Sequence, residues 1–123
     1  MKDNEFKIKF KNVEYPMVFN LNVMETIQEE YGTIQKWGNL ALPDTKENPD
    51  VEPNVKALKC GLTAMINEGI DIYNEGKGEK DQLKPVTTKQ IGRLLTELGL
   101  TEVANQMSNV VVESLASDSS KNE

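Results

Sequence analysis

The chain has 123 residues, with 14 Lys and Arg against 20 Asp and Glu, so its formal net charge at pH 7 is −6. It has no histidine and a single cysteine, Cys60, which excludes catalytic triads built on imidazole, internal disulfides and multi-cysteine metal cages. The negative charge argues against a protein that binds nucleic acid through its phosphates, and equally against binding to an anionic membrane surface.

Residues 5–19 predict a β-hairpin. Phe6, Ile8 and Phe10 alternate with lysines, which is the period-two pattern of a strand with one solvent-exposed face. The three phenylalanines of the chain all lie in this segment, and we expect them to pack the hairpin onto helices.

The turn of the hairpin is predicted at residues 12–14 and the returning strand at 15–19. Pro16 lies in that strand and cannot donate a backbone hydrogen bond. The second strand is therefore predicted to be an edge strand or to begin after Pro16.

The first helix is predicted to begin near Asn22, with Asn22 as its N-cap, because Asn22 and Glu25 have the spacing of a capping box. It is predicted to end at Gly32, a typical left-handed C-cap residue. Residues 33–42 carry apolar side chains at a spacing that suits either a short helix or a turn over the core.

Residues 43–53 predict a loop, because three prolines and four acidic residues leave little to bury. The longest helix is then predicted from about Asn54 to about Asn74. Gly61 and Gly69 lie in it, and each costs about 1 kcal/mol of helix stability relative to alanine. An alternative role for both glycines is to permit the close approach of another helix.

Two further helices follow a predicted loop at residues 75–84. Thr87 and Gln90 have capping-box spacing, and Gly99 is the predicted C-cap of that helix. Thr101 is the predicted cap of the last helix. The polar residues 117–123 predict a disordered tail.

These elements together predict an α+β fold that is mostly α, with an N-terminal β-hairpin packed on a bundle of about four helices. Residues 1–116 are expected to form a single domain, of which 22–116 are the helical part. No apolar run has the length of a signal-peptide core or a membrane span, so with its single thiol the chain is expected in the reducing cytoplasm.

Three patterns superficially resemble known binding motifs and are rejected. Gly76-Lys77-Gly78 lacks the spacing, the hydroxyl residue and the preceding strand of a phosphate-binding loop. The acids in residues 44–52 lack the central glycine of a calcium-binding loop. Residues 88–113 suggest a helix-turn-helix, but the second helix has two acids and no Lys or Arg. That segment is better interpreted as a short helical hairpin.

The sequence also offers no convincing enzymatic centre. Glu25 and Glu29 share one helix face, but their surroundings predict a solvated surface rather than an apolar pocket. Cys60 lies in an apolar stripe and is predicted to be a small core residue rather than a nucleophile. We therefore predict no catalytic residue, cofactor or metal site.

Two segments carry a resemblance to a known family. The first is the helix Leu21–Gly32, which ends in Glu-Glu-Tyr-Gly, and the second is Val86–Leu100, in which Glu-Leu-Gly-Leu joins the two closing helices. In these segments, and in its order of elements over roughly Phe6–Leu115, the chain resembles the small tail assembly chaperones of long-tailed bacteriophages and prophages.

The resemblance implies a binding protein and not an enzyme. Members of that family bind the long, helical, aggregation-prone tape measure protein in the cytoplasm before the tail tube polymerises, and tube subunits then displace them. The implied partners are therefore the tape measure protein and the tail tube protein. Many members are also made in a second, longer form by ribosomal frameshifting.

A chaperone for a helical client needs an exposed groove or apolar stripe that receives client helices. We predict a client-binding surface on the exposed flank formed by Met65, Ile66, Ile72, Tyr73, Val110 and Val111. Residues 110–112 place apolar side chains on more than one helix face. That surplus could equally serve self-association into a homo-oligomer.

Two other classes of protein stay open. One is a small acidic regulator of a mobile element that acts by protein contact. The other is a structural tail or head-completion protein, which would remain in purified virions.

Overall fold

The computed structural model describes residues 6–121, with side chains described as far as residue 116. The α+β, mostly α fold is confirmed: an antiparallel hairpin precedes five α-helices, and a short 3₁₀ turn, Glu79–Asp81, lies in one connection. The elements in chain order are β1 Phe6–Phe10, β2 Val13–Met17, α1 Leu21–Tyr31, α2 Ile34–Ala41, α3 Val55–Asn74, α4 Thr88–Leu98 and α5 Leu100–Lys121.

The turn of the hairpin lies one position earlier than predicted. Phe10 pairs with Val13, so the turn consists of Lys11 and Asn12, with φ angles of 50° and 65°. Two successive positive φ angles are what a two-residue turn of type I′ requires. Lysine at the first of these positions is not a typical turn signal, which is why the sequence pattern placed the turn at residues 12–14.

Pro16 lies inside β2 rather than before it, opposite Lys7. Counting from the Phe10–Val13 pair that flanks the turn, the Lys7–Pro16 pair is one of the non-hydrogen-bonded pairs. The missing N–H therefore removes no bond from the ladder.

β2 is an edge strand, as predicted, in the two-stranded sheet of the described residues. It packs against α3, where the backbone N–H of Val18 donates to the carbonyl of Met65 (3.2 Å).

The N-cap of α1 lies two residues before the predicted one. Asn20 is the N-cap, and its side-chain oxygen accepts from the backbone N–H of Val23 (3.2 Å). The side chain of Asn22 instead donates to the carboxylate of Glu68 on α3 (2.9 Å). The predicted capping box is wrong because Asn22 is already the second residue of the helix, and Asn20 caps it instead. The C-cap at Gly32 is confirmed, with φ of 89°.

The two glycines of α3 permit close approaches, as the sequence suggested. A Cβ at Gly61 would overlap the ring of Trp37 from α2, and a Cβ at Gly69 would come within 2.9 Å of Pro16 from β2. Gly61 thus permits the close approach of helix α2, whereas Gly69 permits the close approach of strand β2. Trp37 is fully buried, stacks on Phe19 at 6.2 Å between ring centroids, and donates from Nε1 to the carbonyl of Ala57 (2.8 Å).

The segment 33–42 is a helix, α2, and the loop at 43–53 is confirmed. The capping box of α4 and its C-cap at Gly99 are also confirmed. Thr101 does not cap α5, because that helix begins directly after Gly99 and the N–H of Val103 donates to the Gly99 carbonyl (3.1 Å).

The last helix, and not α3, has the most residues, 22 against 20. Its backbone continues through residues 117–121, where the sequence predicted part of a disordered tail. No proline or glycine interrupts the helix between residues 100 and 121, so no local signal ends it at residue 117. Residues 122–123 of the predicted tail, and residue 5 of the predicted hairpin, lie outside the described residues.

Two asparagines of α3 hold the connection to α4. The side-chain amide of Asn67 accepts from the N–H of Val86 (2.8 Å) and donates to its carbonyl (3.0 Å). Asn74 does the same with Leu83, at 2.8 and 2.9 Å. Seven residues of helix rise by about 10 Å, a distance that three residues cover only when nearly extended. The segment 83–86 therefore runs antiparallel to α3 as an extended chain.

Both strands and all five helices contribute to one cluster of buried apolar side chains. α3 is central to it, since it contacts β2, α1, α2, α4 and α5. None of the helices in the described part of the chain is both long and apolar enough to cross a membrane.

Candidate functional site

The predicted client-binding flank is not a continuous exposed surface. Met65, Ile66, Val110 and Val111 are core residues, with at most 8% of their surface exposed. α3 and α5 turn these side chains towards the other helices, so the same apolar character that suggested a binding surface builds the core. The expectation that all six residues form an exposed flank is therefore wrong.

The other two members of the predicted flank are exposed. Ile72 and Tyr73 have 44% and 43% of their surface accessible, and the Nζ of Lys77 lies 4.4 Å from the centroid of the Tyr73 ring. The apolar surplus on α5 is also present, because Val112 and Leu115 are exposed. These residues are scattered over two helices.

An open groove of about 860 Å³ lies between α1, α3 and α4. The residues of α3 that line it run from Val55 to Asp71, which corresponds to about 24 Å of helix. α1 forms one wall, and Thr88 at the start of α4 contributes to the other. The lining residues are Asn22, Val23, Thr26, Glu30, Tyr31, Val55, Lys56, Lys59, Cys60, Thr63, Ala64, Asn67, Glu68, Asp71 and Thr88.

One end of the groove is acidic. Glu68 and Asp71 line it, and the Glu68 carboxylate accepts hydrogen bonds from the side-chain amides of Asn20 (2.8 Å) and Asn22 (2.9 Å). These bonds join the N-terminus of α1 to the C-terminal half of α3.

The opposite end of the groove carries two lysines, Lys56 and Lys59, together with Glu30 from α1. The side chain of Lys59 passes beside α4, where its Nζ lies 3.6 Å from the position of a Cβ on Gly92. The same end includes Cys60 and Tyr31. It is therefore the end at which positive charge exceeds negative charge.

Cys60 is half-buried on the groove wall. The prediction that it is a small core residue is therefore wrong. Burial raises the pKa of its thiol above the ordinary 9.0, the Glu30 carboxylate raises it further, and Lys56 partly offsets the change. The thiol is therefore protonated at neutral pH. A protonated thiol is a weak nucleophile.

Two hydroxyl groups beside Cys60 are buried without a partner. Neither Tyr31 Oη nor Thr63 Oγ1 has a hydrogen bond to any residue that the structure describes. Burial also raises the pKa of Tyr31, with smaller contributions from Cys60 and Glu30. An unpaired buried hydroxyl costs about 1–3 kcal/mol, and both of these line the groove.

Nothing in the described residues suggests metal chemistry. Among the side chains that the structure describes, in residues 6–116, no group of three or more Cys, Asp or Glu is placed to hold a metal ion. The acids of residues 44–52 are exposed on the loop, and Gly76-Lys77-Gly78 follows the end of α3. The arrangement of the groove is therefore suited to binding through shape, hydrogen bonds and charge.

The sequence contained a signal for this groove that the apolar pattern hid. Lys56, Cys60, Thr63, Asn67 and Asp71 follow one another at steps of three or four residues, which places them on one face of a helix. Polar side chains at that spacing, opposite the apolar stripe of a central helix, indicate a face that the other described helices leave uncovered.

Comparisons with protein-family models, with curated proteins and with solved structures give no match for this chain.

Proposed function

We propose that the chain is a tail assembly chaperone of a bacteriophage or prophage, which binds an α-helical segment of the tape measure protein in the groove along α3. The observation that carries this proposal is the position of the resembling segments. α1, from Leu21–Gly32, forms one wall of the groove, and Thr88 from Val86–Leu100 contributes to the other.

The dimensions of the groove support a helical client. A client helix of about 16 residues matches the 24 Å of α3 that line the groove, and laying an amphipathic helix in a groove is a common mode of peptide recognition. Binding of this kind needs no covalent step, so the proposed protein is not an enzyme. It can also be reversed, as displacement by the tail tube protein requires.

The charge of the chain fits the same role. A net charge of −6 opposes association between complexes and keeps an aggregation-prone client in solution. The proposed place of action is the host cytoplasm, before the tail tube forms.

Co-expression with the tape measure protein tests the proposal. We expect the tape measure protein to be insoluble alone and to elute with the chain as a soluble complex, measured by size-exclusion chromatography with light scattering. Purified tail tube protein should then release the chain. A chain that remains strictly monomeric and leaves the client insoluble would overturn the proposal, as would a chain retained in purified virions.

A matched pair of substitutions locates the binding surface. Ala64 lies in the groove and Ala116 is exposed on α5, so Ala64→Trp should abolish complex formation while Ala116→Trp should not. Circular dichroism and the melting temperature check that both variants fold. If Ala64→Trp does not fold, modification of Cys60 with a bulky maleimide blocks the same groove in the native chain. A folded, blocked chain that still binds the client would contradict a client site in the groove.

A further inference from the structure

The two ends of the groove carry net charges of opposite sign. Lys56 and Lys59 line the end at the start of α3, and Glu68 and Asp71 line the other end. Lys59 and Asp71 are twelve residues apart on one helix, which is about 18 Å. With Glu30 included, the first end has a formal charge of +1 and the second of −2.

These charges are available to a partner. Within the described part of the chain, no ion pair joins Lys56, Lys59 or Asp71 to a group of opposite sign, and no hydrogen bond engages the side chains of these three residues. A helix that covers the groove removes water from both ends. Its binding is favourable only if it supplies opposite charges where water is lost.

The separation of the two ends decides which helix fits. In physiological salt the Debye length is about 8 Å, so charges about 18 Å apart act almost independently. A uniformly basic helix gains attraction at the Asp71 end and meets repulsion at the lysine end, and a uniformly acidic helix does the reverse. Only a helix with both signs, one at each end, is attracted along the whole groove.

We propose that the occupant of the groove is an amphipathic helix of about 16 residues with its charges divided between its two ends. Its basic residues lie over Glu68 and Asp71, and its acidic residues lie over Lys56 and Lys59. Small or apolar side chains lie between them, over Ala64. The chemical class of the occupant follows from the groove alone, and its assignment to the tape measure protein rests on the proposed function.

Synthetic peptides test the charge arrangement. One peptide carries a basic and an acidic block at opposite ends, and a second has the same composition with the charges interleaved. Fluorescence anisotropy with the full chain should show at least tenfold tighter binding of the first peptide, with the difference shrinking as salt is raised from 0.05 to 0.5 M. Equal affinities for the two peptides would overturn the proposal.

Charge reversal in the chain provides the complementary test. The double variant Lys56→Glu/Lys59→Glu should lose at least tenfold in affinity for the divided peptide and should bind a uniformly basic peptide most tightly. The control Lys46→Glu/Lys80→Glu changes the net charge by the same amount at exposed positions outside the groove, and should leave the preference unchanged. An equal effect of the two double variants would mean that only the net charge matters, which contradicts the proposal.

The position of each end can be measured directly. A nitroxide label on the basic end of the divided peptide should broaden the backbone NMR signals around Asp71 and not those around Val55. Broadening around Val55 instead, or on α5 alone, would overturn the proposal. If raising the concentration of the chain abolishes peptide binding, a second copy of the chain occupies the groove. That result would assign the groove to self-association and would also overturn the proposal.

These experiments separate this proposal from the proposed function. If the tape measure protein binds but the peptides and the charge variants show no preference, the charge arrangement is wrong while the chaperone role stands. If the divided peptide binds in the predicted orientation but the tape measure protein does not bind, the groove chemistry stands and the proposed client is wrong.

Discussion

The two faces of α3 are built on different principles. The core face contains two glycines in close contact with Trp37 and Pro16, and the indole N–H of Trp37 is satisfied by the Ala57 carbonyl. The groove face carries lysines without ion pairs to the described residues and a Thr63 hydroxyl without a partner among them. One face of the helix is completed by its own chain, and the other leaves polar groups that its own chain does not satisfy.

This difference separates the contacts of α3 that stabilise the fold from the polar groups of α3 that do not. Tight complementarity around a buried aromatic ring contributes several kcal/mol to stability, whereas an unpaired buried hydroxyl reduces it. Substitutions on the core face should therefore destabilise the protein, and removal of unpaired polar groups on the groove face should stabilise it.

The largest effect is expected for Gly61→Ala. The added methyl group overlaps the Trp37 ring, and the fully buried ring cannot move away without disturbing its stacking on Phe19. We expect the free energy of unfolding to fall by about 3 kcal/mol, measured by urea denaturation. The control is Gly78→Ala, where a Cβ has nothing within 4 Å and φ is −71°. If Gly61→Ala were as stable as this control, the close contact with Trp37 would not exist.

An intermediate effect is expected for Asn67→Ala. Asn67 lines the groove, but unlike Thr63 its side chain is hydrogen-bonded within the chain, so it tests whether a paired polar group on the groove face stabilises the fold. The substitution leaves the N–H and carbonyl of Val86 without their partners. We expect a loss of about 2 kcal/mol in thermal or urea unfolding. Asn105→Ala is the control, since Asn105 is exposed on α5, and it should change stability by no more than about 0.5 kcal/mol. Equal effects of both substitutions would show that the Asn67 side chain does not hold the connection.

A smaller effect of opposite sign is expected for Thr63→Val. Valine keeps the shape of threonine and removes the buried hydroxyl that has no partner in the described chain. The free energy of unfolding should rise by about 1 kcal/mol. In the control Thr96→Val the lost hydroxyl donates to the Gly92 carbonyl (3.0 Å), so no gain is expected there. Destabilisation by Thr63→Val would show that the hydroxyl is satisfied in the folded chain.

The smallest effect concerns the pH dependence of Cys60. Because burial and Glu30 raise the pKa of the thiol above 9.0, the native chain should react with iodoacetamide more slowly at pH 8 than the chain unfolded in urea. Glu30→Gln should speed the reaction, and Lys56→Ala should slow it. The raised pKa also means that the free energy of unfolding falls as the pH rises above about 9. Identical pH–rate profiles for folded and unfolded chains would contradict this environment.

The elements predicted most closely are those defined by local signals. The capping box of Thr87 and Gln90 and the C-caps at Gly32 and Gly99 depend on residues close in sequence, and all three are present. The N-cap at Asn20 was missed because Asn20 and Asn22 are both good N-cap residues, and only Asn22 has a glutamate three positions later. Both side chains donate to Glu68, which is more than forty residues away. Long-range contacts of this kind leave no local pattern.

The candidate site was harder to predict for a related reason. Apolar side chains such as Met65 and Val110 look the same in sequence whether they face a partner or the core, and the structure shows that they face the core. A groove exists only once several helices have taken their places. Its residues are then a mixture of polar and small side chains without a motif.

The paired asparagine contacts of α3 have a consequence for how the chain could be cut and rejoined. Asn67 and Asn74 fix residues 83–86 independently of the residues between them. The exposed stretch around Gly76 and Gly78 therefore only has to be long enough to close the distance. New termini placed at Gly78 would leave the start of α4 attached to α3 through side-chain amides, so this position is the natural opening for a circular permutant or for two complementing fragments.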